Sequence, residues 1–215
     1  AISRMSTYGT MQRRIAMEIG RDDLLARIPD AIQSAMRAFE SERFWFTEGE
    51  ATTPVISGQA AYAAPADLVE PLILTLTSGG ARNILQRRTW DWLRDAGASS
   101  GAPSYWAHFA DQLWLAPTPN AAATLTLSYI KRLATLSADT DANAWMTHGE
   151  ELIRTRAKID LLSQSGRGEP PGVLIVMLDR ALRDLTAKSG RRRETGRLVG
   201  DPALSGVAGF NINAG

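Results

Sequence analysis

The sequence predicts an α+β fold: a helical bundle formed by N- and C-terminal helices, an inserted small antiparallel β-domain, and an extended C-terminal arm. Three observations carry this expectation. Apolar residues recur at helical spacing as far as Phe44, alternate at period two between Thr47 and Leu133, and return to helical spacing after Leu136. The divisions that follow are 1–46 for the first helices, 47–135 for the β-domain, 136–190 for the last helices and 191–215 for the arm. Each predicted helix has one apolar stripe to hide, so the outer segments are expected to pack together.

Thr7 or Thr10 can cap a first helix carrying Met11, Ile15 and Ile19, and Gly20 stops it. Asp22 or Asp23 is the expected cap of a second, with a stripe of Leu25, Ile28, Ile32, Ala35, Met36 and Phe39. Pro29 either kinks that helix or opens one running to about Phe44, since proline suits a first turn. In the middle segment, Leu72, Leu74 and Leu76 alternate with Ile73, Thr75 and Thr77, while Leu125, Leu127 and Tyr129 alternate with Thr124, Thr126 and Ser128. That is the period of half-buried strands. Turn residues at Ser57-Gly58, Ala64-Pro65-Ala66-Asp67, Ser78-Gly79-Gly80, Ala102-Pro103-Ser104 and Pro117-Thr118-Pro119-Asn120 divide the segment into about five or six strands. A short helix is expected around Thr89 to Arg94, and Gln112 to Leu115 reads as a hairpin partner of Thr124 to Ile130. Further on, Thr147 and Glu150 have the spacing of a capping box ahead of Leu152, Ile153, Ala157 and Leu161. Trp145 beside it has the character of a staple. Gly166 to Gly172 interrupts the chain, and Leu174, Met177, Leu178, Ala181 and Leu185 form the last stripe. From Gly190 the periodicity is expected to fail.

The chain has 215 residues, 44% of them hydrophobic and 22% charged. A chain of this length can bury roughly 70% of its unfolded surface without a covalent staple. It has no cysteine, which excludes disulfides, thiolate nucleophiles and iron–sulfur ligation. Twenty-four Lys and Arg against 23 Asp and Glu leave a net charge of +1, so no bulk electrostatic grip on nucleic acid is indicated. No apolar run approaches the roughly 18 residues that span a bilayer. The first eight residues hold no apolar signal core, and Met5-Ser6-Thr7 has the form of a start preceded by four residues.

Catalytic chemistry finds few candidates. His108, in an aromatic-rich strand, and His148, at a helix start, are the only histidines. No G-x-S-x-G elbow surrounds a serine. Glu48 with Glu50, Asp139 with Asp141, and Glu150 with Glu151 are the carboxylate pairs a glycan hydrolase would need. Acids at a helix start also serve the helix dipole, and Asp139 to Asn143 lacks the glycine and bidentate glutamate of a calcium loop. Ser78-Gly79-Gly80 and Gly166-Arg167-Gly168 are too short to cradle phosphate. Phe44, Trp45, Phe46, Trp90, Trp92, Trp106 and Trp114 either form a stacking platform for bases or sugars or, as we prefer, join the β-domain to the helices. No metal, cofactor or catalytic residue is expected.

The strongest asymmetry is basic. Arg180, Arg183, Lys188, Arg191, Arg192, Arg193 and Arg197 face only Asp184 and Glu194, and they lead into a glycine-spaced tail holding Leu198, Val199, Leu204, Val207, Phe210 and Ile212. A basic anchor followed by an apolar extension reads as a docking arm that orders on a partner. A frayed tail and a nucleic-acid contact are the alternatives.

Several stretches resemble the head-to-tail adaptor (connector, or tail accessory factor) proteins of tailed bacteriophages. They are Met5-Ser6-Thr7-Tyr8-Gly9-Thr10-Met11-Gln12-Arg13-Arg14-Ile15-Ala16, Asp30 to Ala35 with Glu42-Arg43-Phe44-Trp45-Phe46, Tyr62 to Asp67, Thr124 to Leu133, and Leu136 to Trp145 continuing through Glu150-Glu151-Leu152-Ile153-Arg154. Together they run in order over most of the chain to about residue 162. The resemblance implies a virion structural protein assembled in the host cytoplasm. It would form a homo-oligomeric, dodecameric ring beneath the portal protein, extend the channel through which double-stranded DNA passes, and carry the downstream tail protein. It also implies that the arm docks on the portal, which makes Arg191, Arg192, Arg193, Arg197, Leu198, Val199, Phe210 and Ile212 the docking candidates. A DNA-binding module using the same arginines and a virion glycan hydrolase using Glu48 or Glu150 are the rivals.

Overall fold

The computed structural model describes residues 6–95, 99–164 and 172–198. Helix α1 spans Tyr8–Ile19. Thr7, in extended conformation, accepts the Thr10 N–H on its hydroxyl at 3.3 Å, and Gly20 ends the helix at φ +61°. Met11 and Ile15 are fully buried. Asp22 and Asp23 do not cap a long helix as the sequence led us to expect. They begin a 3-10 turn, Asp22–Arg27, and Asp23 pairs with Arg21. Helix α2 is Ile28–Ala38, and Pro29 sits in its first turn, where its missing N–H costs nothing. It stops well short of Phe44. The segment after it is a string of turns in which the Thr47 hydroxyl donates to the Phe44 carbonyl at 2.9 Å, setting Phe44 and Phe46 into the interior.

Ten strands follow among the described residues: β1 Glu48–Val55, β2 Ala61–Ala63, β3 Leu68–Ser78, β4 Ala81–Ile84, β5 Gln86–Arg87, β6 Ser100–Gly101, β7 Tyr105–Phe109, β8 Gln112–Ala116, β9 Thr118–Pro119 and β10 Ala123–Lys131. Helix α3, Trp90–Asp95, lies between β5 and β6. One four-stranded sheet has the order β1-β10-β3-β4, a second β2-β8-β7-β5, and β6 pairs with β9. Most pairings are antiparallel, but β5 with β7 and β6 with β9 are parallel, which departs from the expected all-antiparallel domain. The two larger sheets turn one face each to a shared core of Val55, Tyr62, Leu74, Leu76, Trp106, Leu113, Leu115, Leu125, Leu127 and Tyr129. The expected hairpin of Gln112–Leu115 with Thr124–Ile130 does not form. Strand β8 turns back on β7 through Ala110 and Asp111, both with positive φ, whereas β10 lies in the other sheet between β1 and β3.

The chain then returns to helices: α4 Ala144–His148, α5 Glu150–Gln164 and α6 Gly172–Leu198. The predicted capping box is absent. Asn143 caps α4 by accepting the Trp145 N–H at 3.0 Å, Thr147 lies inside that helix, and the Glu150 carboxylate pairs with Arg14 of α1. Met11 and Ile15 of α1, Ile32 and Ala35 of α2, Leu152, Ile153 and Leu161 of α5, and Ala181 and Leu185 of α6 share a second core with Phe44, Phe46 and Trp145. Glu18 of α1 adds ion pairs to Lys158 at 2.6 Å and Arg154 at 3.1 Å on α5. Gly166 to Pro171 of the expected break lies outside the described residues. Among the described residues, no helix is long and apolar enough to cross a membrane.

The N-terminus of α1 is held against the loop before α4. The Tyr8 N–H donates to Asp141 O at 2.8 Å and the Gly9 N–H to Asp139 O at 3.0 Å. A Cβ on Gly9 would lie 2.7 Å from both Cβ and Cγ of Asp139. Gly9→Ala is therefore expected to destabilise the fold by about 1–3 kcal/mol, the usual range for forcing a methyl into packed space, measured by denaturant unfolding.

Candidate docking surface

The basic stretch singled out in the sequence begins inside a helix. Helix α6 continues through Gly190 to Leu198, so the backbone of Arg191, Arg192, Arg193, Arg197 and Leu198 is helical where irregular chain was expected. Val199, Phe210 and Ile212 lie outside the described residues. Arginine and glutamate are good helix formers, and cations near a helix C-terminus complement its dipole, which together offset the roughly 1 kcal/mol that Gly190 costs. Ser189 anchors this half of the helix. Its buried hydroxyl donates to the Leu185 carbonyl at 2.8 Å and accepts the Trp45 N–H at 3.4 Å.

Lys188, Arg191 and Arg192 stand three and four residues apart and so share one face of the helix. With Trp45, Thr147 and His148 they line an open cleft of about 430 Å³. The Arg192 guanidinium carbon sits 4.6 Å from the centroid of the Trp45 ring, a cation–π contact. Trp45 in turn meets Phe46 edge-on at 5.0 Å and the His148 ring at 5.2 Å. Phe46 and Phe44 both pack against Trp145, at 5.1 and 5.7 Å. The charged face is thus tied, ring by ring, to the helical core. Among the described residues no ion pair engages Lys188 or Arg192, whereas Arg183 pairs with Asp179 one turn earlier. Arg193 donates to the Ser189 carbonyl at 3.2 Å.

Sequence reasoning found the arginines but missed Trp45 and His148 as their neighbours. The spacing of Lys188, Arg191 and Arg192 was a signal that they act from one helical face. Nothing local announces that Trp45, far earlier in the chain, supplies the floor.

The catalytic candidates are scattered. His148, exposed at the end of α4, packs against Trp45 and Phe46, and His108 belongs to β7. Glu48 and Glu50 do line one shallow cleft beside β1, but the Glu48 carboxylate is held by Arg43 at 2.8 Å. Glu150 is held by Arg14. Asp141 accepts the backbone N–H groups of Ser137 and Ala138, each at 2.8 Å, and these bonds hold its carboxyl below the usual carboxylate range. Its role is to fold the loop on which α1 rests. Among the described residues, no group of three or more acidic or histidine side chains is placed to hold a metal ion. The aromatics divide. Phe44, Trp45 and Phe46 join the helical core, but Trp90 and Trp92 of α3 pack on Phe109, Trp114 and Tyr105, Trp106 lies in the sheet core, and among the described residues none of these four tryptophans belongs to the helical core.

Compared with known families, residues 6–201 match the family described as SU10 adaptor protein. No curated protein matches the chain.

Proposed function

The chain belongs to the SU10 adaptor protein family of phage head-to-tail adaptors, and from that premise we propose that it is a virion structural protein that docks on the portal through the basic face of α6. Copies would assemble there as a closed ring, the dodecamer that the resemblance implies. The ring would extend the DNA channel and present the β part to the next tail component. In a ring of identical subunits each contact is head to tail and closes by rotation. The helical layer, with its charged face at one end, and the paired sheets give the subunit two chemically different surfaces, which a protein placed between two partners requires.

The observation that carries the proposal is Arg192 stacked on Trp45, with Lys188 alongside and, among the described residues, no ion pair engaging either. Arginine and tryptophan fixed in place before binding lose little entropy on docking, and both are enriched among residues that dominate interface energies. An assembly role also asks for no catalytic group, in keeping with a family of structural proteins. Removing residues 191–215 is the direct test. The truncated chain should stay folded through its helical core yet lose binding to purified portal rings. Retained binding would refute the docking role. Salt-dependent binding of the full chain to duplex DNA, abolished by the same truncation, would favour the DNA-binding reading instead.

A further inference from the structure

A second cluster of arginine and aromatic side chains lies in the β part, on the other core. The register pairs Ala107 with Trp114 and Phe109 with Gln112, so Tyr105, Ala107, Phe109 and Trp114 share the sheet face turned away from the core residue Trp106. Helix α3 covers that face. Trp90 stacks on Phe109 at 4.9 Å with the planes 3° apart and meets Trp114 at 4.7 Å, while Trp92 meets Tyr105 edge-on at 4.9 Å. The Arg88 guanidinium carbon lies 5.4 Å from the ring centroids of both Trp92 and Tyr105 on this face, whereas Arg87, in register with Trp106 on edge strand β5, lies across the sheet edge with its guanidinium carbon 5.5 Å from the Trp106 ring. Arg87, Arg88, Trp90, Trp92 and His108 line a cleft of about 580 Å³.

The cluster is incomplete in a specific way. Its rings pack against one another and against the arginines, but among the described residues the arginines have no opposite charge. Among the described residues no carboxylate pairs with Arg87 or Arg88, and the neighbouring Asp91 and Asp95 are both engaged by Arg94. Arg88 donates one hydrogen bond, to Gln86 Oε1 at 3.1 Å. A guanidinium held over a ring keeps in-plane N–H donors whose fork matches a carboxylate. His108 Nε2 and Trp114 Nε1, shielded from solvent, also have no hydrogen-bond partner among the described residues. Even so, Trp92 remains 42% exposed and Phe109 47%.

We propose that this patch is the anchor for a protein partner that presents an acidic segment, its carboxylates taken by Arg87 and Arg88 and its apolar neighbours by Trp92 and Phe109. A duplex fits it less well. Its phosphates form a continuous anionic track, whereas here two arginines line a single short cleft. The inference rests on the adaptor reading for the existence of a second partner. Its test involves neither portal nor α6, so the two readings can fail separately.

The test titrates the full chain, labelled for NMR, with three probes: the blocked peptide Glu-Phe-Glu-Glu, its counterpart Gln-Phe-Gln-Gln, and a short DNA duplex. The acidic peptide should shift the Arg88 side-chain N–H and Trp92 indole signals saturably, and the glutamine peptide should bind at least about tenfold more weakly. Arg87→Gln with Arg88→Gln should abolish the response, and Arg88→Lys, which keeps the charge but not the fork, should weaken it. Both arginines are exposed, so these variants should fold, as the unchanged remainder of the spectrum would show. Equal binding of the two peptides, no response to either, an unchanged response in the double variant, or displacement of the peptide by the duplex would each overturn the proposal.

Discussion

Trp145→Ala is expected to cost about 3–5 kcal/mol of folding stability, the range for deleting a buried aromatic side chain. Trp145 is 4% exposed and meets Phe44 and Phe46 with its ring edge-on to both. Its ring lies so close to Gly149 that a Cβ there would fall 2.7 Å from Trp145 Cε3, so the site is fitted to this side chain. Removal leaves a void between α4, α5 and the turn that carries Trp45. In a chain of this size the loss should lower the melting temperature by roughly 10 °C. The consequence reaches the docking surface, because Phe46 supports Trp45 and Trp45 supports Arg192. A loss below about 1 kcal/mol would show that the helical core does not depend on this ring.

Trp106→Ala should cost a similar amount, about 3–5 kcal/mol, through the other core. Trp106 is 1% exposed and sits opposite Leu115 on β8, among the leucines of both larger sheets. The two cores are built from different residues, one helical and one from the sheets. The double variant should therefore lose the sum of the single losses within about 0.5 kcal/mol, the tolerance for sites that share no partners. Denaturant unfolding of the four proteins measures this directly. A coupling well above that tolerance would mean that helices and sheets stabilise one another through contacts beyond their separate cores.

What the sequence made legible follows from where the physics is local. Thr7 and Gly20 bound α1 because a cap and a left-handed residue act within one turn of the chain. The alternation along β3 and β10 was readable because Leu74 and Leu76, and Leu125, Leu127 and Tyr129, enter the sheet core from one face, although Thr75 and Ile130 are buried too. The partner of β8 was not. Its turn is Ala110-Asp111, which adopts positive φ without the Asn-Gly signature such turns usually carry, while the conspicuous Pro117 to Asn120 leads across to the other sheet. Thr147 and Glu150 had the right spacing for a capping box, but Thr147 lies inside the separate helix α4, which Asn143 caps, and Arg14 takes the glutamate at the start of α5. The apolar periodicity failed at Gly190, yet the helix runs through it to Leu198, because its arginines and glutamate favour helix without needing an apolar stripe. The candidate surface was half legible. Its arginines were visible as a run of charge, but the contact of Arg192 with Trp45 joins residues distant in sequence, and no local pattern encodes such a pair.

The central claim, that the basic face of α6 docks on the portal, is tested most directly by reversing its charge while keeping the fold. Lys188→Glu combined with Arg192→Glu changes two side chains that no internal ion pair holds among the described residues. Binding of this variant to purified portal rings should fall by at least about tenfold relative to the parent chain, with an unchanged circular dichroism spectrum, as expected when interfacial charges are reversed. Undiminished binding by the folded variant would contradict the account.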